Sequence, residues 1–349
     1  MRPGAVRRWS AVSAVVAVLV AVPLVRAIQP VRAATVDPQV LRGRILAATG
    51  RPYQGYVLSQ GTLALPSIPQ LGDVKNLFGA SNSLRVWHAS TDAWRVAVLD
   101  PTGEQDYYRT AAGTYTWDYE KNLWTQIIGE PPVRLPAAPD VLPPELAKRL
   151  LSDETAVKPI ADRRIAGIAA AGLRFTPGDP DTTVRYVDVW ADPATGLPLQ
   201  IDVGGLFNSR FLQVSQDRPA AGVLTPNAST TSGFATTNRP DITTALNSVA
   251  SADLPSRLAS RDRVPGPVTA AAVYGTGLSR FVVLALPGRI ARQTFGAVRN
   301  GGGVSVPGGY VLGSGVLTVL VIRPAPRKTY LLAGFVTPAL LTRASAELS

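Results

Sequence analysis

The stretch VDVWADPATGLPLQIDV, residues 187–203, decides the fold. Apolar residues alternate on both sides of DPATG, residues 192–196, which is the composition of a tight turn between two antiparallel strands. Gly196 can take the positive φ that such a turn needs. Pro198 cannot donate a hydrogen bond to a neighbouring strand, so we expect it at a sheet edge or a bulge. The sequence therefore predicts a β-hairpin here.

The two aspartates of this hairpin are also candidates for catalysis. Asp188 and Asp192 lie four positions apart, which is about 13 Å along an extended strand. That separation is too large for the usual carboxylate pair of a glycoside hydrolase. We therefore interpret Asp188 as a solvent-facing strand residue and Asp192 as the residue that starts the turn.

The same alternation extends along the chain on both sides of the hairpin. It recurs in YQGYVLSQGTLAL, SLRVWHAS, AWRVAVLD, EQDYYRTA, TYTWDYEKNLWTQI, RRIAGIAAAGLRFTP and RFLQVSQD. Short alternating runs separated by turn residues predict an antiparallel sheet. Two helices interrupt it. One starts at Asp37-Pro38, and the other, LPPELAKRLLSD, has Leu146, Leu150 and Leu151 on its buried side.

A sheet of this size needs its apolar face covered, and a curved sheet partly closed over the two helices achieves this. The predicted fold class is therefore α+β, with residues 34–217 forming a curved antiparallel half-barrel packed on helices. Residues 218–240, rich in Pro, Ala, Ser, Thr and Gly, are predicted to form a linker. Residues 241–349 are predicted to form a smaller α+β domain. Its helices are expected from Asp241, in PGRIARQTFGAVRN and from Thr337.

Residues 1–33 have the pattern of an export signal. A basic segment, MRPGAVRRW, precedes the apolar segment SAVSAVVAVLVAVPLV, and VRA before Ala34 fits a cleavage site. An uncleaved membrane anchor is the alternative, although the apolar segment is short for a membrane span. In both cases we expect the rest of the chain outside the cytoplasm, in the periplasm or cell envelope.

The residues that usually carry catalysis are scarce. The sequence contains no cysteine and one histidine, His88. Disulfides and thiolate chemistry are therefore excluded, and a zinc site lacks its usual ligands. His88 lies in an alternating strand and is interpreted as a packed or surface residue. No G-x-S-x-G motif occurs, so we predict no catalytic residue, no metal site and no cofactor.

The net charge of +11 is distributed unevenly. Residues 34–217 carry 17 basic and 20 acidic residues, whereas residues 218–349 carry 13 basic and four acidic residues. A basic tail predicts an acidic partner or an anionic membrane surface, with solubility as the alternative explanation. Nucleic acid is not expected for an exported chain. The predicted contact residues are Arg257, Arg261, Arg263, Arg289 and Arg292.

The first predicted domain is rich in aromatic and aliphatic side chains. They form either an ordinary core or an apolar cavity between sheet and helices that holds a hydrophobic ligand. We expect the more aliphatic side of each strand to line that cavity. The predicted cavity residues are Tyr56, Leu58, Val96, Val98, Val187, Val189, Leu199 and Ile201.

Four segments resemble a known family. PYQGYVLSQGTLALP, LRVWHASTDAWRVAVLD, EQDYYRTAAGTYTWDYEKN and VDVWADPATGLPLQIDV follow one another as in exported proteins of the LolA-like superfamily. The spacing is most similar to the MucB/RseB branch, which regulates an envelope-stress sigma factor. The resemblance covers roughly residues 36–217. It implies an open half-barrel plugged by helices, a hydrophobic cavity for acyl chains and no catalytic residues.

The resemblance also implies a partner. In the RseB-like branch a smaller C-terminal domain helps to bind the extracytoplasmic part of a membrane anti-sigma factor, and lipid or lipoprotein signals relieve the resulting protection. This gives the hypothesis of a lipid-sensing regulatory protein. A carrier of lipids or lipoproteins is the second hypothesis, and a hydrolase that uses paired carboxylates is the third.

Overall fold

The structure is a computed structural model that describes most of the chain. The described ranges are 31–62, 72–101, 103–129, 136–151, 156–226, 232–238, 254–265, 271–326 and 328–348. Nearly all of the predicted signal or anchor, and the helix predicted from Asp241, lie outside these ranges. None of the helices within them is long and apolar enough to cross a membrane.

A large sheet dominates the first two thirds of the described chain. Its strands are β1 (Tyr53–Gly61), β2 (Ser81–Ser90), β3 (Ala93–Asp100), β4 (Gly103–Thr110), β5 (Gly113–Asp118), β6 (Leu123–Ile128), β7 (Ala156–Ile165), β8 (Ile168–Thr176), β9 (Val187–Ala191), β10 (Pro198–Val203), β11 (Phe207–Ser215) and β12 (Gly233–Asn238). Their order is β12-β6-β5-β4-β3-β2-β1-β11-β10-β9-β8-β7. Pairing of β1 with β11 joins two antiparallel meanders into one open sheet. The antiparallel sheet and the α+β class are therefore confirmed.

Four helices accompany this sheet: α1 (Pro38–Ala47), α2 (Gly72–Gly79), α3 (Pro143–Leu150) and α4 (Ala221–Leu224). The side chain of Asp37 accepts hydrogen bonds from the first amides of α1, as predicted for its N-cap. Leu41 and Ile45 of α1 share a core with Leu146 of α3 and the strands. Helix α3 packs mainly on β10.

The strand register sorts side chains onto two faces of the sheet. Val57 of β1 lies opposite Leu84 of β2, and Leu84 lies opposite Val98 of β3. All three belong to or pack against the core that α1 and α3 close, so we call this side the helix-covered face. Because strand side chains alternate, Tyr56 and Leu58 lie on the other side, which we call the outer face.

The hairpin of residues 187–203 forms as predicted. Asp192 accepts a hydrogen bond from the amide of Ala194, and Gly196 has a φ of +75°. A Cβ on Gly196 would lie 2.5 Å from the backbone of Arg44, so glycine also allows the turn to approach α1. The register shifts next to Pro198, which places the proline at a bulge, one of the two positions expected for it.

The prediction that Asp188 faces solvent is wrong. Its side chain is only 7% exposed, and the guanidinium of Arg174 donates two hydrogen bonds of 2.6 and 2.7 Å to its carboxylate. Arg174 lies directly opposite Asp188 on the neighbouring strand β8. The ion pair compensates the cost of burying the carboxylate.

The segment predicted as a linker contains regular structure. Helix α4 packs against β3, and β12 pairs with β6 in parallel. Residues 233–238 thus extend the first sheet at its edge, which corrects the expectation that residues 218–240 only connect two domains. Alternation did not indicate this strand because its described side chains are half-buried or exposed.

A second sheet follows. Its strands are β15 (Ala271–Tyr274), β16 (Phe281–Ala285), β17 (Val304–Val306), β18 (Gly309–Ser314), β19 (Leu317–Ala325) and β20 (Lys328–Gly334), after a small hairpin of β13 (Arg257–Leu258) and β14 (Arg261–Asp262). Their order is β15-β16-β20-β19-β18-β17. Helices α5 (Gly288–Asn300) and α6 (Pro338–Ala346) accompany it, and Thr337 caps α6 as predicted.

Candidate functional site: a cavity and a basic helix

A cavity of about 360 Å³ lies between the helix-covered face of β1–β5 and the segment that leads into and through α3. This volume is near the lower end of the range for small-molecule sites, roughly 300–1,000 Å³. The lining residues are Tyr53, Val86, His88, Thr91, Asp92, Trp94, Val96, Tyr107, Arg109, Thr114, Ala137, Pro139, Asp140, Leu142, Glu145, Lys148 and Arg149.

One row of cross-strand neighbours forms the floor of this cavity. Tyr53 lies opposite His88, His88 opposite Trp94, Trp94 opposite Arg109, and Arg109 opposite Thr114. Residues that face each other across antiparallel strands project from the same face of the sheet. The register therefore brings side chains from five strands together at one end of the sheet.

The deepest part of the floor is aromatic. The rings of Tyr53 and His88 stack with centroids 4.7 Å apart, and Phe211 meets Tyr53 edge-on at 5.8 Å. Burial lowers the pKa of His88 below its usual value, so its ring is neutral at pH 7. Burial also raises the pKa of Tyr53, so the phenol stays protonated.

Helix α3 supplies a charged cover. Glu145, Lys148 and Arg149 lie three and four positions apart and so project from one side of α3 toward the cavity. Arg149 donates a hydrogen bond of 2.5 Å to the buried carboxylate of Asp140, which also accepts from the amide of Ala137 at 2.8 Å. The cavity therefore combines an aromatic and aliphatic floor with a cover of both charges, which suits an amphiphilic molecule.

The predicted cavity residues divide into three groups. Val96 lines the cavity, and Val98 lies on the same face beside the core. The four predicted from β9 and β10 have no exposed surface and form the packed core. They are Val187, Val189, Leu199 and Ile201. Tyr56 and Leu58 lie on the outer face, because the cavity side of β1 is the one that carries Tyr53 and Val57.

Sequence reasoning missed most of the floor and the cover. We expected the more aliphatic side of each strand to face the cavity, whereas the floor is built from aromatic and polar residues such as Tyr53, His88 and Trp94. One signal was available. Helix α3 carries charged residues on a different side from its leucines. A helix that only covered a packed core would not place charged side chains toward the sheet.

A second groove, of about 550 Å³, lies on the outer face. Tyr56, Arg85 and Trp87 are among its lining residues. The guanidinium groups of Arg85 and Arg95 lie 5.0 and 4.7 Å from the centre of the Trp87 ring. Charged groups therefore already occupy the aromatic surface here, which makes it a poorer site for an acyl chain than the cavity.

Two of the predicted contact arginines lie on one helix. Arg289 and Arg292 are exposed on α5, and Arg299, which we did not predict, is exposed farther along the same side. The sequence has no acidic residue between Asp262 and Glu347. The arginines of α5 therefore form a positively charged surface, while Val298 on the opposite side of the helix is buried against β19.

The other three arginines lie in or beside the β13–β14 hairpin. Arg257 is exposed and pairs loosely with Asp262 at 3.5 Å. Arg263 is half-buried and donates a hydrogen bond to the carbonyl of Leu254.

Arg261 has a different role from the one expected. Its side chain is only 15% exposed, and its guanidinium pairs with the carboxylates of Asp179 and Asp181 at 2.9 and 3.4 Å. Arg343 also pairs with Asp181, at 2.9 Å. These ion pairs connect the segment before β9 to the β13–β14 hairpin and to α6, so Arg261 is engaged within the molecule.

Within the described ranges, no group of three or more His, Asp and Glu side chains is arranged to hold a metal ion. A lone histidine also leaves few candidates for a general base beside a nucleophile. His88 has its Nδ1 3.0 Å from the carbonyl oxygen of Arg51, inside the cavity floor.

A scan against protein-family models finds no match, and neither does a search of curated protein sequences. Solved structures do match. The MucA/MucB complex of Pseudomonas aeruginosa has a TM-score of 0.50 at 19% identity, and the match covers 89% of this chain and 96% of that chain. A crystal structure of MucB in complex with MucA(peri) has a TM-score of 0.49 at 19% identity, covering 88% and 97%. A LolA superfamily protein from Nitrosomonas europaea has a TM-score of 0.21 at 9% identity, covering 86% and 94%. The chain therefore has a fold similar to that of MucB, the branch that its sequence motifs predicted.

Proposed function

We propose that this chain is a non-catalytic, extracytoplasmic regulatory protein of the RseB type. Its cavity binds the acyl part of a lipid or lipoprotein. Its second sheet docks on the extracytoplasmic part of a membrane protein that resembles an anti-sigma factor. Binding of the lipid then changes how firmly the partner is held.

The cavity is the observation that carries this proposal. It lies where the helices of a half-barrel cover the sheet, and it is the size of a small-molecule site. Val86, Val96 and Leu142 provide aliphatic surface next to the aromatic floor, while the charges of α3 lie at the cover. An acyl chain inside and a polar head at the cover would satisfy both parts of this lining.

The basic surface of α5 supports the second part. Arg289, Arg292 and Arg299 are exposed together in a stretch without acidic residues. Such a surface attracts an acidic segment of a partner or the headgroups of an anionic membrane. Since Arg261 is paired internally, we leave it out of this contact set and keep Arg257 and Arg263 at its border.

A carrier of lipids or lipoproteins is the alternative. A carrier needs only the cavity. The only protein that it has to contact is the one that receives its cargo. The match to the MucA/MucB complex favours the regulatory role because it extends over both sheets of this chain. We do not propose a hydrolase, because the carboxylate of Asp188 is paired with Arg174 and that of Asp192 accepts a hydrogen bond from the amide of Ala194 in the turn.

Native mass spectrometry of the exported protein tests the cavity directly. We expect a co-purifying acyl-chain ligand that Val96→Phe displaces, since the larger ring would occupy the cavity. Leu58→Phe, on the outer face of the neighbouring part of the sheet, is the matched control and should keep the ligand. An empty wild-type protein that added lipids do not stabilise would contradict the proposal.

Charge reversal separates the regulator from the carrier. The double variant Arg289→Glu/Arg292→Glu should lose a protein partner captured from the envelope fraction if the chain is a regulator. Loss of binding to anionic vesicles alone would support the carrier. Unchanged binding of both kinds would refute the argument from charge.

A further inference from the structure

The hydroxyl of Tyr53 is buried and accepts or donates no hydrogen bond among the residues that the structure describes. The whole side chain is 0% exposed, yet it lines the cavity. Burying a hydroxyl without a partner costs free energy, so a ligand that supplies the missing hydrogen bond at this position would gain affinity. Tyr53 is therefore a cavity-lining residue whose hydroxyl has no hydrogen-bond partner in the described part of the chain.

His88 beside it presents a hydrogen-bond acceptor. A carbonyl oxygen can only accept, so the 3.0 Å contact with the Arg51 carbonyl requires the hydrogen on Nδ1. The neutral ring then has an unprotonated Nε2 with a free lone pair. Since His88 also lines the cavity, this lone pair and the Tyr53 hydroxyl belong to the same stacked pair of rings.

We propose that Tyr53 and His88 form a polar subsite in the cavity floor that selects ligands with a hydroxyl or amide group near the acyl chain. The ligand donates a hydrogen bond to Nε2 of His88 and accepts one from the hydroxyl of Tyr53. An acyl chain whose polar part has acceptors only would leave Nε2 without a donor. This inference rests on the proposed function, since it names the class of amphiphile that the same cavity prefers.

The chain offers a matched control for the unpartnered hydroxyl. Ser59 and Ser209 lie opposite each other on β1 and β11, and both are fully buried. Their hydroxyls also lack a partner within the described part of the chain, but neither residue lines the cavity. Removing the Ser59 hydroxyl should therefore affect stability in the same direction as removing that of Tyr53, without an effect on the ligand.

The test uses N-dodecanoylethanolamine and its analogue in which the amide nitrogen and the hydroxyl oxygen are both methylated. Wild-type exported protein should bind the first about tenfold more tightly, as expected for the loss of one or two buried hydrogen bonds. Tyr53→Phe should raise the melting temperature of the free protein and weaken the binding of both compounds, because both keep acceptors for its hydroxyl. His88→Phe, which removes Nε2, should remove most of the preference. Ser59→Ala should raise the melting temperature as well and leave the binding of both compounds unchanged.

The outcomes distinguish the subsite from the cavity. If both compounds bind equally to wild type, or if Tyr53→Phe leaves the affinity for both unchanged, the subsite is refuted while the cavity remains. If neither compound binds and Val96→Phe changes nothing, the proposed function itself fails.

Discussion

The two halves of the first sheet have the same alternating pattern of side chains, but their helix-covered faces are packed differently. In the β9–β11 half, Val189, Leu199 and Ile201 have no exposed surface and pack against α1 and α3. In the β1–β5 half, the same face carries Tyr53, His88 and aromatic neighbours below a charged part of α3, and a cavity remains. Alternation of apolar and polar residues therefore specifies which face of a strand is buried. Side-chain size and the covering helix decide whether that face is packed or leaves a cavity.

The largest expected effect is on the packed half. Ile201→Ala should lower the free energy of unfolding by about 3 kcal/mol, because it leaves a void among side chains that cannot collapse around it. Urea denaturation followed by circular dichroism measures this. A loss below about 1 kcal/mol would mean that the half is not tightly packed.

A volume increase should separate the two halves. Val189→Phe overfills the packed core and should cost about 2 kcal/mol, whereas Val96→Phe can extend into the cavity and should cost less than about 1 kcal/mol. The same denaturation experiment compares the two variants with wild type. Equal costs would contradict the difference between a packed and a hollow half.

The outer face of the β1–β5 half also holds a buried carboxylate, that of Asp106. Burial raises the pKa of Asp106, below Arg95 on the outer face, to about 6. A raised folded-state pKa means that the folded protein holds a proton that the unfolded chain loses near pH 4. The contribution of Asp106 to stability is therefore present below pH 4 and is lost as the pH rises to about 6.

Asp106→Asn should remove that part of the pH dependence. The difference in melting temperature between wild type and the variant should change between pH 4 and pH 6, in the direction of a relative loss for wild type. A constant difference across this range would show that Asp106 titrates normally.

The smallest effect on stability is expected at the basic helix. Arg289→Glu and Arg292→Glu alter exposed side chains and should change the free energy of unfolding by no more than about 0.5 kcal/mol. Thermal unfolding measures this. Since stability is preserved, any loss of partner or vesicle binding in the same variants reports on the surface itself.

Local sequence signals predicted the elements that depend on neighbouring residues. The N-cap of Asp37, the turn at Gly196 and the bulge at Pro198 were all predicted, because each follows from backbone chemistry within a few residues. The α+β class followed from the alternation, and the similarity to the fold of MucB followed from the motifs around it.

What could not be predicted depends on partners far along the chain. Asp188 is buried because Arg174 lies opposite it on another strand, and Arg261 is engaged because Asp179 reaches it from 82 residues away. The side of β1 that faces the cavity depends on its register with β2, which single-strand alternation does not reveal. These errors concern which residues contact each other, whereas β12 is a strand that alternation missed.

The most direct test of the central claim is a crystal structure of the protein with an acyl chain that carries a terminal bromine. We predict anomalous density for the bromine on the helix-covered face, beside Val96 and Trp94 in the cavity. Density in the outer groove beside Tyr56 and Trp87 would contradict the account, because the binding surface would then be the opposite face of the sheet.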